Sequence, residues 1–248
     1  MNFNALSING NSYTITKRKA FFGNPFQIED IGKVFEFAWG MSFGHTGEHR
    51  STRSGGTASR KEGEIFINAF QGKLGEFAVY YKLTALGLKV SEPDLSLWGK
   101  GFWDNGDFEI GRLKVNVKSA SHFSNLLLFE TKDWNLEALS LHSDPPTAYD
   151  YFILTRISPD GKSIMRDNSL MLSNTADKEI LKKIIVTPDW QYDIPGFMER
   201  TNFKEIIALK HIIPQGGLLN GKLKMDASNY YIQAFDLKNI DTINKKLL

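Results

Sequence analysis

The residues of this chain best suited to chemistry are an acid and a lysine eleven positions apart, Asp107 and Lys118. Apolar and polar residues alternate over 108–110, after the acid, and over 115–117, before the lysine, which is the period of a half-buried strand. Gly111 lies in the short connection between the two runs, so the sequence predicts a β-hairpin. An acid at the start of one strand and a lysine at the end of the next suit metal-dependent cleavage of a phosphodiester.

Hydrolysis of a phosphodiester needs a cation on the scissile phosphate, an activated water and help for the leaving oxygen. Mg²⁺ prefers oxygen ligands and keeps several waters, so one or two carboxylates and the substrate phosphate can hold it. Asp107 is the candidate main carboxylate ligand, in preference to Asp104, because it directly precedes the alternating run. The ammonium of Lys118 is the candidate to orient the water and to stabilise charge on the phosphate. The alternatives are a turn aspartate and an ordinary edge-strand lysine.

Asn116 lies two residues before the lysine, so the period of a strand points both side chains to the same face. Its amide oxygen could bind Mg²⁺ or orient a water, but it brings no negative charge. Ser119 follows the lysine and is a candidate contact to a phosphate, although a polar residue at the end of a strand would look the same.

A helix is predicted before the hairpin, over residues 64–86, because apolar residues recur there at helical spacing. Gly87 is suited to its C-cap. Gly72 and Gly75 weaken the middle, so the segment is either two helices or one helix with a tight packing contact. Glu76 lies beside the apolar stripe, where an ordinary surface glutamate is the alternative to a functional one.

The other periodic segments predict an α/β fold. The N-terminal residues 1–23 resemble an extended arm or an edge strand. Helices are predicted from Asn24-Pro25 to Gly40 and over 134–141, 177–185, 202–209 and 237–247. Strands are predicted over 125–129, 149–157, 170–172 and 230–235, the second of these closed by a turn at 159–161.

The order of these features resembles the core of the PD-(D/E)XK nucleases, and within them the type II restriction endonucleases. The resemblance lies in the sequence GKLGE at 72–76 on a helix, Asp107 opening a strand, VNVK at 115–118 on the next strand, and the strands that follow. It covers residues 71–157. The motif is short and degenerate, so its specificity comes from order, spacing and strand context together.

The resemblance implies a mixed central sheet flanked by helices, with DNA-reading insertions outside it. It also implies a Mg²⁺-dependent, sequence-specific endonuclease acting on double-stranded DNA. Glu76 would face the same site as Asp107, and the backbone carbonyl of Val117 would bind the metal. Asn116 departs from the family, which usually has Asp or Glu at this position. We therefore expect a single tightly held Mg²⁺ and a larger role for Glu76 than in most members.

Residues 44–63 are rich in Gly, Ser and Thr and carry the basic residues Arg50, Arg53, Arg60 and Lys61. A solvated loop is one reading, and a DNA-contacting loop is the other, because arginine can bind guanine edges and hydroxyls can bind phosphates. On the second reading Arg53 and Arg60 are the main base-reading candidates and Lys61 a phosphate contact. A further reading element is expected over residues 200–235. Within it the candidate segment is 210–224, where Gln215 lies among basic residues.

Composition limits the classes of function. The chain has 248 residues, 42% of them hydrophobic, so it can bury a full core. Its net charge of +2 is small, so nucleic acid would have to meet a local basic surface. The absence of cysteine excludes thiolate metal sites and suits a reducing compartment, and no signal peptide or membrane-spanning run is recognisable. We therefore expect a cytoplasmic protein without membrane contacts.

We expect a single nuclease domain over residues 1–248, with the core at about 64–160 and flanking DNA-recognition elements at about 44–63 and 200–235. Two rival functions stay open. One is a structure-specific repair nuclease or junction resolvase on the same core, and the other is a non-catalytic DNA-binding module on a decayed nuclease core. Homodimer and monomer are both compatible with the sequence, which shows no coiled-coil pattern.

Overall fold

A computed structural model describes residues 3–46, 60–97 and 108–243 of the chain, which folds as a mixed α/β protein. The α-helices of this part of the chain are α1 Ile28–Gly40, α2 Glu62–Ala85, α3 Gly161–Asp167, α4 Lys178–Val186 and α5 Arg200–Ala208. The strands of its first half are β1 Ser7–Asn9, β2 Ser12–Thr14, β3 Asn24–Pro25, β4 Phe108–Ile110, β5 Leu113–Ser121, β6 Leu126–Glu130, β7 Leu139–Ser140 and β8 Thr147–Ala148. Those of its second half are β9 Tyr151–Ser158, β10 Gln191–Glu199, β11 Ile212–Ile213, β12 Leu218–Leu219, β13 Leu223–Lys224 and β14 Asn229–Gln233.

The central sheet has five strands in the order β3-β10-β9-β5-β4. Strands β5 and β9 are parallel, and the other neighbours are antiparallel. The hairpin predicted from the alternating runs is confirmed, since Phe108 pairs with Val115 and Ile110 with Leu113. Gly111 has a φ of +63° in the turn, a conformation that glycine adopts without a steric penalty. Strand β4 pairs only as far as Val115, so the rest of β5 is paired along one edge within the described residues.

Both faces of the central sheet are covered. On one face, α2 packs against apolar residues of β5 and β9 such as Val115 and Ile153, and α1 packs on α2. On the other face, Phe152 and Leu154 of β9 pack against α5 and against a three-stranded sheet with the order β11-β14-β6. Successive side chains of a strand point to opposite faces, and both faces of β9 are covered, so the strand is buried from Tyr151 to Ile157 and begins with four apolar residues.

The helix α2 is one continuous element of 24 residues, which settles the choice between one helix and two. Its two inner glycines have different surroundings. A Cβ atom on Gly72 would meet nothing within 4 Å, whereas a Cβ atom on Gly75 would lie 2.7 Å from Thr155 Oγ1 and 3.0 Å from Ser119 Cβ. Gly75 therefore lets the helix backbone approach the sheet closely.

Several sequence predictions were wrong at the level of single elements. Residues 134–141 form no α-helix, because Leu139–Ser140 pairs with Thr147–Ala148 as a short hairpin after a 3₁₀ turn at Thr131–Asp133. Residues 170–172 form a turn, whose backbone amides bond to Met165 and whose Leu170 carbonyl accepts from Ser173. The described part of 237–247 forms no α-helix; it contains a β-bridge between Lys238 and Phe197 and a 3₁₀ turn at Ile240–Thr242.

The first helix begins at Ile28, because Asn24–Pro25 pairs with β10 as an edge strand instead of starting the helix. Its predicted end at Gly40 is confirmed. The predicted helices at 177–185 and 202–209 are also confirmed, with ends shifted by one or two residues. Helix α3 and strand β10 were not predicted. In the described residues no helix combines the length and the apolar character needed to cross a membrane.

Candidate active site

Strand β5 points its successive side chains in opposite directions. Val117 and Ser119 point to helix α2, as their short distances to an added Cβ on Gly75 indicate. Asn116 and Lys118 point to the opposite face, where both line a cavity between β5 and strand β6 of the second sheet. The prediction that Asn116 and Lys118 share a face follows from the two-residue period of a strand and is confirmed.

The cavity has a volume of about 200 Å³, several times the volume of a water molecule in the liquid. Aromatic rings of Phe129, Trp134 and Tyr149 form part of its wall. The Nζ atom of Lys118 lies 6.0 Å from the centroid of the Phe129 ring. The remaining polar residues that line it are Glu130, Asp133, Ser140, His142 and Asn229.

Asn116 is a buried polar residue of this wall. Its relative exposure is 6%, and its amide oxygen Oδ1 has no hydrogen-bond partner among the described residues. A buried carbonyl-type oxygen without a donor costs about 1–3 kcal/mol relative to a paired one. An amide oxygen is also one of the ligands that Mg²⁺ accepts, so a cation or an ordered water would relieve this cost.

Two carboxylates, Glu130 and Asp133, line the same cavity, and neither was predicted as a site residue. Burial raises the pKa of Glu130, and the nearby carboxylate of Asp133 raises it further. The Oε2 atom of Glu130 has no hydrogen-bond partner in the described residues and lies 3.7 Å from Lys132 Nζ. Asp133 Oδ2 lies 3.3 Å from His142 Nε2. The cavity therefore combines one lysine with two neighbouring acids, and one of them, Glu130, has an oxygen without a hydrogen-bond partner among the described residues.

Glu76 is buried, with 9% relative exposure, so the alternative of an ordinary surface glutamate is wrong. Its Oε2 atom lies 2.8 Å from Nζ of Lys73, one turn earlier on α2. Helix α2 packs on the face of β5 that carries Val117, whereas Lys118 points away from it. Glu76 is absent from the described residues that line the Lys118 cavity. Its role as a ligand shared with Lys118 stays a prediction.

A polar groove lies on the α2 side of β5, lined by Asn68, Gln71, Ser119, Ser121 and Lys162. Ser121 Oγ donates a 2.8 Å hydrogen bond to Asp160, which follows β9. Burial alone would raise the pKa of Asp160, but hydrogen bonds from Ser163 and Ser121 hold it below its usual value. Ser119, the predicted phosphate contact, thus lies among neutral donors and one lysine, half-buried.

The predicted DNA-binding residues that the structure describes lie on different elements of the fold. Arg60 and Lys61 immediately precede helix α2, and Lys61 is the exposed residue at its N-cap position. Gln215 lies in the exposed turn between β11 and β12, where its backbone amide donates a 3.0 Å hydrogen bond to Ser228 Oγ. The residues Asp107, Arg50 and Arg53 lie outside the described residues, as do Asp104 and most of the segment 44–63.

The described residues contain no group of three or more acidic or histidine side chains arranged to hold a metal ion. The donor chemistry at the cavity nevertheless suits a hard cation, since carboxylate and amide oxygens are the ligands that Mg²⁺ prefers. The amide oxygen of Asn116, which has no hydrogen-bond partner in the part of the chain that the structure describes, is the observation that fits such an ion. Asp107, which directly precedes β4, is the further carboxylate that the sequence offers to the hairpin.

A mixed α/β fold supports many unrelated activities, so function has to be inferred from side chains at the site. The site is defined by Asn116, Lys118 and the acids across the cavity. Comparison of the chain with protein-family models, with curated proteins and with solved structures found no match.

Proposed function

We propose that the protein is a Mg²⁺-dependent, sequence-specific endonuclease that cuts double-stranded DNA, of the type II restriction kind. The observation that carries the proposal is the buried residue Asn116, which lines a cavity together with Lys118 and whose amide oxygen has no hydrogen-bond partner among the described residues. An oxygen ligand for a hard cation and an ammonium group on one strand face are two of the groups that cleavage of a phosphodiester uses.

The arrangement of elements supports a core of the PD-(D/E)XK type. A long helix, α2, precedes the β4–β5 hairpin, and β9 returns parallel to β5 in a sheet covered on both faces. Gly75 brings α2 close to Val117 and Ser119, which flank Lys118 in the chain. The helix that carries Glu76 is thus packed directly on the strand that carries the lysine.

Each residue has a distinct role in the proposed site. Lys118 would place positive charge near the non-bridging oxygens of the phosphate and orient the attacking water. Asp107, Asn116 and the backbone carbonyl of Val117 would hold Mg²⁺, with Glu76 in the position that the family assigns to its helix acid. When bound, Mg²⁺ would offset the charge of the scissile phosphate and help to activate a water.

Digestion of a plasmid of known sequence, followed by sequencing of the ends, tests the proposal. Discrete fragments with one common end sequence are the expected result in the presence of Mg²⁺. A smear, or cutting confined to branched DNA, would instead indicate a structure-specific repair nuclease or junction resolvase. Absence of any cleavage with Mg²⁺ or Mn²⁺ would contradict the proposal.

One observation favours a different class of function. Asn116 lacks the charge that the family usually carries at this position, as a DNA-binding module on a decayed nuclease core would. Asp107→Ala and Lys118→Ala separate the two. An endonuclease loses cleavage in both variants and keeps DNA binding, whereas a binding module shows no cleavage in the wild-type protein either.

The basic residues before α2 are proposed to read DNA. Arg53→Ala and Arg60→Ala should relax specificity at single base pairs, because an arginine bound to guanine contributes about 1–3 kcal/mol of discrimination. Lys61→Ala should weaken binding to all sequences alike, since a phosphate contact carries no sequence information. Unchanged cleavage patterns in both arginine variants would remove the segment 44–63 from the proposed interface.

A further inference from the structure

The hairpin supplies one carboxylate fewer than its family pattern, while two acids that no motif marks lie across the cavity. Glu130 ends strand β6, and Asp133 ends the 3₁₀ turn that follows. Both line the cavity that Asn116 and Lys118 line from β5. The side chains of Glu130 and Asp133 are 23% and 16% exposed, so both are largely removed from water.

The negative charge of Glu130 is only partly compensated by the described residues around it. Its Oε2 atom is buried without a hydrogen-bond donor in the described residues, and the nearest ammonium, Lys132 Nζ, lies 3.7 Å away on a half-exposed side chain. Asp133 lies close enough to disfavour the charged form of Glu130. A cation that binds between two neighbouring carboxylates stabilises their charged forms.

A third candidate oxygen ligand, the amide of Asn116, is on the opposite wall of the cavity. Asn116 lines the cavity and is 94% buried, and its Oδ1 atom has no hydrogen-bond partner among the described residues. This observation is independent of the acids, and a hydrogen-bond donor or a cation would stabilise the amide oxygen of Asn116 as well. Two carboxylates and an amide oxygen are a sufficient protein contribution for Mg²⁺, which keeps several of its waters. His142, 3.3 Å from Asp133, would orient that carboxylate as groups around metal ligands commonly do.

We propose that Glu130 and Asp133, together with the amide oxygen of Asn116, bind a divalent cation in this cavity and supply the negative charge that Asn116 does not carry. The inference rests on the proposed endonuclease function for its biological meaning. Cation binding itself is measured without DNA, so the two can fail separately. If instead Lys118 and Lys132 alone compensate the acids, the cavity has no affinity for a cation.

Terbium luminescence tests the cation site, because Tb³⁺ takes oxygen ligands and emits when Trp134 and Tyr149 in the cavity wall are excited. The full chain is titrated with Tb³⁺ and then with Mg²⁺ as competitor. The variants Glu130→Gln and Asp133→Asn keep the shape of each side chain and remove its charge. Glu137→Gln is the matched control, since Glu137 is 67% exposed and paired with Lys204 outside the cavity. Circular dichroism verifies that all variants are folded.

The wild type and the control should show sensitised Tb³⁺ emission, and this emission should fall as Mg²⁺ displaces the bound Tb³⁺. The affinity for Tb³⁺ should fall by about tenfold or more in each cavity variant. Wild-type affinity in both cavity variants, or emission that Mg²⁺ does not displace, would overturn the inference. Plasmid cleavage measured in parallel separates the two proposals. A cleaving wild type with unchanged cation affinity in both variants refutes the inference alone, whereas lost affinity with no cleavage by the wild type refutes the endonuclease function alone.

Discussion

Replacement of Gly75 by alanine tests how closely α2 must approach the strand that carries Lys118. The added methyl group would lie 2.7 Å from Thr155 Oγ1 and 3.0 Å from Ser119 Cβ, both closer than ordinary contacts. Thr155 is fully buried on β9, and Ser119 is on β5, so neither atom belongs to a flexible side-chain end. Either the helix moves away from the sheet or the two strands shift.

Gly72 provides a matched control on the same helix. A Cβ atom there meets nothing within 4 Å, so Gly72→Ala gains only helix propensity, about 1 kcal/mol of stability. Gly75→Ala gains the same propensity and loses about 1–3 kcal/mol through overpacking. The two variants should therefore differ by about 1–3 kcal/mol in the free energy of unfolding, with Gly75→Ala the less stable.

Urea unfolding followed by circular dichroism measures this difference. In thermal unfolding it should correspond to about 2–4 °C for each kcal/mol in a chain of this size. If Gly75→Ala is as stable as Gly72→Ala, the close approach of α2 to β5 is incorrect. The position of Glu76 relative to the sheet would then have to be reconsidered, because it follows from this contact.

Two further predictions concern buried charge. Arg156 is 1% exposed, and its Nε donates a 2.8 Å hydrogen bond to Asp193. The substitution Arg156→Met should lower the free energy of unfolding by about 3–5 kcal/mol, because Asp193 stays buried without this partner. Urea unfolding measures the loss. The surface pair Lys178–Glu36 is the control, and Lys178→Met should cost less than about 1 kcal/mol; equal losses would contradict the structural role of Arg156. Burial raises the pKa of Glu130, so the folded state retains this proton to higher pH than the unfolded state, and stability falls as pH rises through that interval. Glu130→Gln in metal-free buffer should therefore melt higher than the wild type at neutral pH, with the gain shrinking on acidification; a pH-independent difference would refute this assignment.

Local sequence patterns predicted the elements that depend on nearest neighbours. The β4–β5 hairpin followed from two alternating runs and Gly111, and the shared face of Asn116 and Lys118 followed from the strand period. Helix α2 was recognisable from its apolar spacing despite its inner glycines. Strand β10 was missed because Pro195 and Gly196 interrupt its pattern, where the pairing with β9 shifts register.

The other wall of the site could not be predicted from local patterns. Glu130 reaches the cavity because β6 belongs to the second sheet, where it pairs with β14. Asn229 of β14, about a hundred residues later in the chain, lies opposite Glu130. That pairing is a long-range contact with no periodic signature in either segment. An acid at the end of the apolar run 126–129 was visible in the sequence, but nothing local indicated that it faces Asn116.

The rate of plasmid cleavage by Lys118→Met, compared with the wild type and with Lys114→Met, tests the central claim most directly. Lys114 lies on the same strand, outside the residues that line the cavity, and controls for loss of a basic side chain. We expect Lys118→Met to lose cleavage by at least about a hundredfold while it binds the same DNA, and Lys114→Met to cut at close to the wild-type rate. Wild-type cleavage by Lys118→Met would contradict the assignment of this cavity as the active site.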